Sequence, residues 1–540
     1  MAGTVTALAL ADFRERRRRP AYLVVLLGTL ALGLLAAPVG SSTWQVFQIS
    51  GYRGLYTSGY VGTVTALGGA VWLALAGFNI TRGTVPKDER NGVGQILAAT
   101  PMTRPSYLFG KFCSNLLVLG SMLLALAVTA FGVQLVKGES YHVDVVRLLL
   151  PFVLITLPLL ALVAACAVLF DTLPGLRGGV GALIWFVVWL VGIMASQASG
   201  AYDLLSMERI SESMRRAISA AGHPAEAVRF GVGLTSDDKT PVTFDWQGLG
   251  LGDLGGGLLA NAALLVAGSL VAALLSVLWF RRFDPSAAIG AVGALVTGAK
   301  GAADRTGAEH ADHADHADHA EEPAAGAGTS FGLDPSLLTP PRMGSSFLPT
   351  LVGEVRVLLQ GMRWWWLGTL ALAVLAAFVP SGNVLHPVLP LTVLWPVLIW
   401  SRMGNHAGAG SIDDLLAACP AAGRRLLAGL LAGIAVALAV TAVPIVRLIA
   451  SGDTGAAVAA LVGALVVPAL AMLCGIVSRG PRLFQALYPL LWYAMFNRIP
   501  EVDFLGVAEG KGPGTAAVAA AAVLLAALAL GVDSVRRANR

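Results

Sequence analysis

Long apolar stretches recur along this chain and leave few folds open to it. About 20 consecutive apolar residues cross a bilayer as a helix. Such stretches lie near 21–39, 57–80, 113–136, 147–170, 177–197 and 256–280, and again near 364–380, 385–401, 424–447, 455–478, 482–497 and 514–533. The pattern predicts an all-α integral membrane protein with about twelve spanning helices in two groups of six. Prolines interrupt two of the stretches (Pro387, Pro390 and Pro396 in one, Pro489 in the other). Bilayer helices tolerate them where neighbours satisfy the freed carbonyls. Composition agrees: 56% of the 540 residues are hydrophobic and 13% charged, whereas a soluble domain carries roughly a quarter charged residues. That excludes a water-soluble multidomain enzyme.

Lys and Arg between the stretches set the orientation, because they favour the cytoplasmic side. Five arginines fill Arg14–Arg19 before the first stretch. Arg82, Lys87, Arg90, Arg104 and Lys111 follow the second. Arg402, Arg424 and Arg425, then Arg479 and Arg482, then Arg536, Arg537 and Arg540 fall on the same side. Both termini are therefore expected in the cytoplasm, with the chain multi-pass in the cytoplasmic (inner) membrane. The basic start, apolar run and Ala36-Ala37 imitate a signal peptide, but further spans follow directly, so the first helix is read as uncleaved. The net charge of +5 points to no nucleic-acid partner. Cys113, Cys166, Cys419 and Cys474 show no framework spacing and read as buried thiols.

The intervals suggest an organisation. Residues 1–20 form an N-terminal interfacial helix and residues 21–280 the first six-helix half. Residues 198–255 are its large extracytoplasmic segment, where 204–221 could form one or two amphipathic capping helices. Residues 281–346, rich in Ala, Gly, Asp and Pro, read as a flexible cytoplasmic linker. Residues 347–540 form the second half, and its first residues, 347–363, place Leu348, Leu351, Val352, Val355, Leu358 and Leu359 at helical spacing. That spacing describes a helix lying in the interface plane. Trp364, Trp365 and Trp366 beside Arg363 read as an aromatic anchor at the headgroups.

Two inside loops resemble each other. Residues 88–111 read DERNGVGQILAATPMTRPSYLFGK and residues 405–429 read NHAGAGSIDDLLAACPAAGRRLLAG. A displacement of 319 places Leu97-Ala98-Ala99-Thr100-Pro101 on Leu416-Ala417-Ala418-Cys419-Pro420, and Gly110 on Gly429. Val93, Ile96 and Leu97 then meet Ile412, Leu415 and Leu416, each trio at i, i+3, i+4. Each loop thus holds one helix with an apolar face, ended by a proline.

The run from Asp88 to Lys111, with Glu89-Arg90, Gly92, Ile96-Leu97, Thr100-Pro101 and Gly110-Lys111, resembles the first cytoplasmic loop of ABC transporter permeases of the type-two exporter class. The second half is less similar, with Asn405-His406 in place of the charged run. The resemblance implies a fused two-half permease subunit with an interfacial helix before each half. It also implies a coupling helix, between the second and third spans, that docks on a separate ATP-binding subunit, expected in two copies. On that reading Glu89, Arg90, Val93, Ile96, Leu97, Pro101 and Arg104 form the first docking surface. Asp413, Asp414, Leu416, Pro420, Arg424 and Arg425 form the second. The cargo would be amphiphilic or lipid-like: a drug, an antibiotic or a lipid.

The chain lacks the phosphate-cradling G-x-x-x-x-G-K-[ST] pattern, so ATP and Mg are expected on the partner, and no catalytic residue can be named. Residues 309–322 place His310, His313, His316 and His319 three apart among aspartates. On a helix they could pair around zinc or nickel; as a tandem duplication in a solvated tether they bind nothing. Two rival functions remain open. One is an ion-coupled secondary transporter, which the near absence of acids in the spans disfavours. The other is a non-transporting membrane scaffold or metal-responsive regulator built on the histidine run.

Overall fold

The computed structural model describes residues 2–37, 44–140, 142–197, 203–226, 228–236, 241–250, 256–280, 347–361, 365–380, 384–404, 422–508 and 512–538. The whole linker, with His310, His313, His316 and His319, and the stretch with Asp413, Asp414, Leu416 and Pro420 lie outside the described residues. Residues 1–280 and 348–540 pack as one compact unit.

Helix α1 (Ala2–Arg17) ends in a run of arginines and turns by 79° into α2 (Pro20–Ala36). Pro20 begins α2, where its missing N–H costs nothing. Helix α3 (Ser58–Trp72) continues through a π-helical turn, Leu73–Gly77, into α4 (Phe78–Thr81). Two short helices follow, α5 (Thr84–Arg90) and α6 (Val93–Ala98), and then α7 (Arg104–Lys137). Helix α8 (Val145–Pro151) passes through a second π-helical turn, Phe152–Thr156, into α9 (Leu157–Thr172); α10 (Gly179–Gln197), α11 (Met207–Ala220) and α12 (Gly256–Trp279) complete the first half.

The second half opens with α13 (Phe347–Leu359) and α14 (Trp365–Phe378). Its second element is broken: a π-helical turn at Val384–Val388, α15 (Leu389–Leu394) and α16 (Val397–Trp400). Helices α17 (Ala422–Ala450), α18 (Thr454–Ser478), α19 (Arg482–Phe496) and α20 (Thr515–Ala538) follow.

Among the described residues, eight helices are long and apolar enough to cross a membrane, or nine if the bent α1–α2 pair counts as one. The other three expected positions hold shorter helices: α14 with 14 residues, the broken Val384–Trp400 segment, and α19 with 15. At 1.5 Å per residue, α14 or α19 covers little more than about two-thirds of a ~30 Å hydrocarbon core. The prolines that interrupt the sequence there break the second of these elements into pieces, as Pro390 and Pro396 begin new turns after each break.

Packing follows the same layout in both halves. In each, the fourth and sixth helical positions share the most extensive contact: α9 with α12, and α18 with α20. Each third helix lies against the first and second of its half, α7 on α2 and α3, α17 on α14 and α15. Large apolar side chains are exposed along α10, α12 and α20, among them Val191, Leu264, Leu278 and Val523, as a lipid-facing surface requires. Of the three tryptophans read as an anchor, Trp366 is exposed, Trp364 lies outside the described residues, and Trp365 does not project. It is buried, and it exchanges hydrogen bonds with Trp395, each indole nitrogen donating to the other residue's carbonyl (3.3 and 3.1 Å).

The end opposite α1 carries the small amount of sheet. Strand β1 (Trp44–Ile49) pairs antiparallel with β3 (Phe230–Ser236), and β2 (Tyr52–Gly54) pairs parallel with β4 (Val242–Phe244). Helix α11 buries Met207, Ile210, Met214 and Ile218 on one face, and the Asp203 carboxylate accepts the Met207 and Glu208 N–H groups at its start (2.7 and 2.8 Å). One amphipathic helix therefore occupies the interval where one or two were expected.

Candidate functional site: the α5–α6 elbow and the seam between halves

The elbow between the second and third spans begins at Gly83, whose φ of +76° suits a residue without Cβ. A further left-handed glycine, Gly92, separates α5 from α6, so the two short helices turn sharply. Helix α6 is too short to bury its apolar positions beneath itself. Ile96 is 69% exposed and Val93 40% exposed, while Leu97 is half-buried. Pro101 and Arg104 are exposed beyond it, and Arg90 is exposed before it. An apolar ridge with a charged rim thus projects at the α1 end.

Ionic contacts hold α5 in place. Lys87 pairs with Glu15 of α1. Asp88 meets Lys111 of α7 (2.7 Å) and accepts the Tyr107 hydroxyl (2.7 Å). Lys111, 1% exposed, also meets Asp12 of α1 (2.6 Å). Glu89 pairs with Arg177 in the loop before α10 (3.0 Å), so this carboxylate fastens the elbow to its own chain. Gly110 lets α1 approach closely beside Lys111: a Cβ there would stand 2.7 Å from the Leu8 side chain. Burial works against ionisation of Glu15, but Lys87 and Arg19 outweigh it and hold the carboxyl at about 2. A depressed carboxyl stabilises the fold above its ordinary value, and that stability is lost as pH falls towards the depressed value. Between pH 4.5 and about 2 the native chain should therefore lose thermal stability more steeply than Glu15→Gln, measured in detergent micelles.

The second half repeats the brace. Arg425 of α17 donates to Glu354 of α13 (2.7 Å), again a base on the third long helix of a half meeting an acid on the helix that opens that half. Gly429, one turn on, faces the same Glu354. Arg424 is exposed beside Arg425.

A seam runs between the halves, formed by α4 and its π-helical turn against α19, and by α10 against α16. Each fifth helix carries two aromatic donors four residues apart aimed at the second helix of its half. Trp185 and Trp189 donate to the Ala74 and Val71 carbonyls (2.9 Å each). Tyr488 and Trp492 donate to Val393 and Pro390 (2.6 and 2.7 Å). The π-helical turn and the proline break put carbonyls out of line with ordinary helical partners, which is why side chains can take them. Across the seam Phe186 meets Trp492 (5.8 Å between centroids) and Trp189 meets Tyr493 (5.3 Å), both edge to face. Towards the α1 end the contact becomes polar: Asn79 donates to the Gln485 carbonyl (3.3 Å) and the Gln485 amide to Ser401 (3.2 Å). The spacing of these aromatics is visible in the sequence, but at a displacement of 303, Trp185 to Tyr488 and Trp189 to Trp492. The two loops repeat at 319 and these aromatics at 303, so the two repeats do not share one register.

Among the described residues, no group of three or more His, Cys, Asp and Glu side chains is placed to hold a metal ion. Cys113 and Cys166 are half-buried and Cys474 is buried. No protein-family model, curated protein or solved structure matches this chain.

Proposed function

We propose that this chain is the membrane-spanning permease subunit of an ATP-driven ABC exporter. It would have twelve spans in the cytoplasmic membrane and both termini in the cytoplasm. A separate ATP-binding subunit, in two copies, supplies ATP and Mg, and the cargo is an amphiphilic or lipid-like molecule. The observation that carries this reading is the α6 ridge: Val93 and Ile96 stand exposed on an elbow that ion pairs hold rigid. A rigid apolar ridge with charged neighbours suits a groove on a protein partner, where apolar contacts supply affinity and rim charges set register. The seam supports it as well, since two halves meeting along one line can rock apart when a motor pulls on their elbows. Charge placement favours ATP over an ion gradient. The buried charges Arg16, Arg82, Lys111 and Asp171 sit at the α1 end, and Arg53 and Asp503 at the opposite end.

Purification from native membranes in mild detergent tests the proposal. An ATP-binding protein with the G-x-x-x-x-G-K-[ST] motif should co-purify in stoichiometric amount. Inverted vesicles containing both should accumulate a fluorescent amphiphile only with ATP. Accumulation driven by a proton or sodium gradient without ATP would contradict it.

A further inference from the structure

Residues 81–84, the joint between the second span and the elbow, are gripped from every side. Asp171, at the end of α9 and 1% exposed, accepts the Gly83 N–H (2.7 Å), the Thr84 N–H (2.9 Å) and the Thr84 hydroxyl (3.4 Å). Arg16 of α1 donates to the Thr81 carbonyl (3.5 Å) and to Asn115 of α7 (2.6 Å). Arg82 reaches the Leu176 and Gly178 carbonyls of the loop leading into α10 (2.6 and 2.9 Å). The fourth grip comes from the other half: the Arg482 guanidinium at the start of α19 lies so close to Gly83 that a Cβ at residue 83 would collide with it. One backbone joint therefore touches α1, α9, the loop before α10 and the opposite half.

We infer that this joint is the transmission point of the permease, with Asp171 and Arg482 as positioning residues that pass movement of the elbow to the fourth span and across the seam. The inference rests on the proposed function. The Asp171 carboxylate binds two successive N–H groups where the chain turns into α5, so a tilt of the elbow must drag α9 with it. Arg482 fills the space left by the missing Gly83 side chain, so the same tilt presses on α19. The ridge residues that would touch the motor lie on α6, one helix further along, and are not part of this grip.

The experiment uses the full chain with its ATP-binding subunit in lipid vesicles. Cys113, Cys166, Cys419 and Cys474 are replaced by serine, and spin labels are placed at Lys137 and Ser451, one in each half. In the parent, ATP with vanadate should shift the distance between labels. In Asp171→Asn and in Arg482→Ala the ATP-binding subunit should stay bound and hydrolyse ATP, but the shift should be lost. A purely structural role predicts instead that docking falls in step with the shift. An unchanged shift in both variants would overturn the inference while leaving the functional proposal intact. Should Asp171→Asn fold poorly, Arg482→Ala decides alone, because it leaves the Asp171 hydrogen bonds to Gly83 and Thr84 in place. If the parent binds no ATP-binding subunit, the functional proposal fails and this inference with it.

Discussion

Replacing Ile96 by aspartate should weaken binding of the ATP-binding subunit by at least about 30-fold while leaving membrane insertion and thermal stability unchanged. Ile96 is 69% exposed on α6, so the fold does not depend on its side chain. A surface substitution away from packed features changes stability by roughly half a kcal/mol or less. In a docked complex the same side chain would be desolvated in a groove, and truncating a central anchor costs about 2 kcal/mol or more. A carboxylate left there adds the cost of burying an unpaired charge. Binding measured by titration of the purified partner, next to a melting curve of the permease alone, separates the two effects. Leu97→Asp should lose docking too, but it should also cost some stability because Leu97 is half-buried against its own chain. Equal binding of Ile96→Asp and the native chain would remove α6 from the docking surface.

Replacing Lys111 by methionine should destabilise the permease by about 3–5 kcal/mol, the largest loss expected at any single site described above. Lys111 is 1% exposed and joins Asp12 to Asp88, at 2.6 and 2.7 Å. Without it two carboxylates, 16% and 13% exposed, face each other with one cation fewer. Breaking a buried charge pair by removing one partner leaves an uncompensated charge, which costs more than the pair contributed. Methionine retains most of the volume, so the loss reports charge rather than a cavity. Asp88 would keep only the Tyr107 hydroxyl as a partner, so α5 should loosen before the spans do. Proteolysis within 83–104 ahead of global unfolding would show it. Restoring neutrality with Asp12→Asn in the same chain should recover part of the loss, and no recovery would show that packing rather than charge dominates.

Much of this architecture was legible in the residues. A hydrophobic run of about 20 residues has few other fates, and eight of the expected spans are continuous helices. The apolar trio Val93, Ile96 and Leu97 marks α6, and the helix ends before Pro101. The number of full-length spans was harder to read. Hydropathy counts residues and not unbroken turns, so the proline-rich stretch near 385 looks continuous in composition while its backbone is split. The strands were hard to see, because β1 pairs with a segment roughly 180 residues further on and its own run does not alternate cleanly. Glu89 reads as a rim charge, and its pairing with Arg177 was hidden because Arg177 comes within reach only after α9 and α10 fold back. In the sequence Asp171 stands just past the fourth apolar stretch, with nothing beside it to mark a role. Its hold on Gly83 depends on bringing residues 88 positions apart together, and no local pattern encodes that.

A photoreactive side chain at position 96, illuminated in native membranes, reports what α6 touches. A single protein adduct is expected, with a P-loop ATP-binding subunit, and it should disappear when the label is moved to Leu264 on the exposed face of α12. Adducts at position 96 with lipid alone would place the ridge in the bilayer and contradict the assignment of α6 as the seat of a motor.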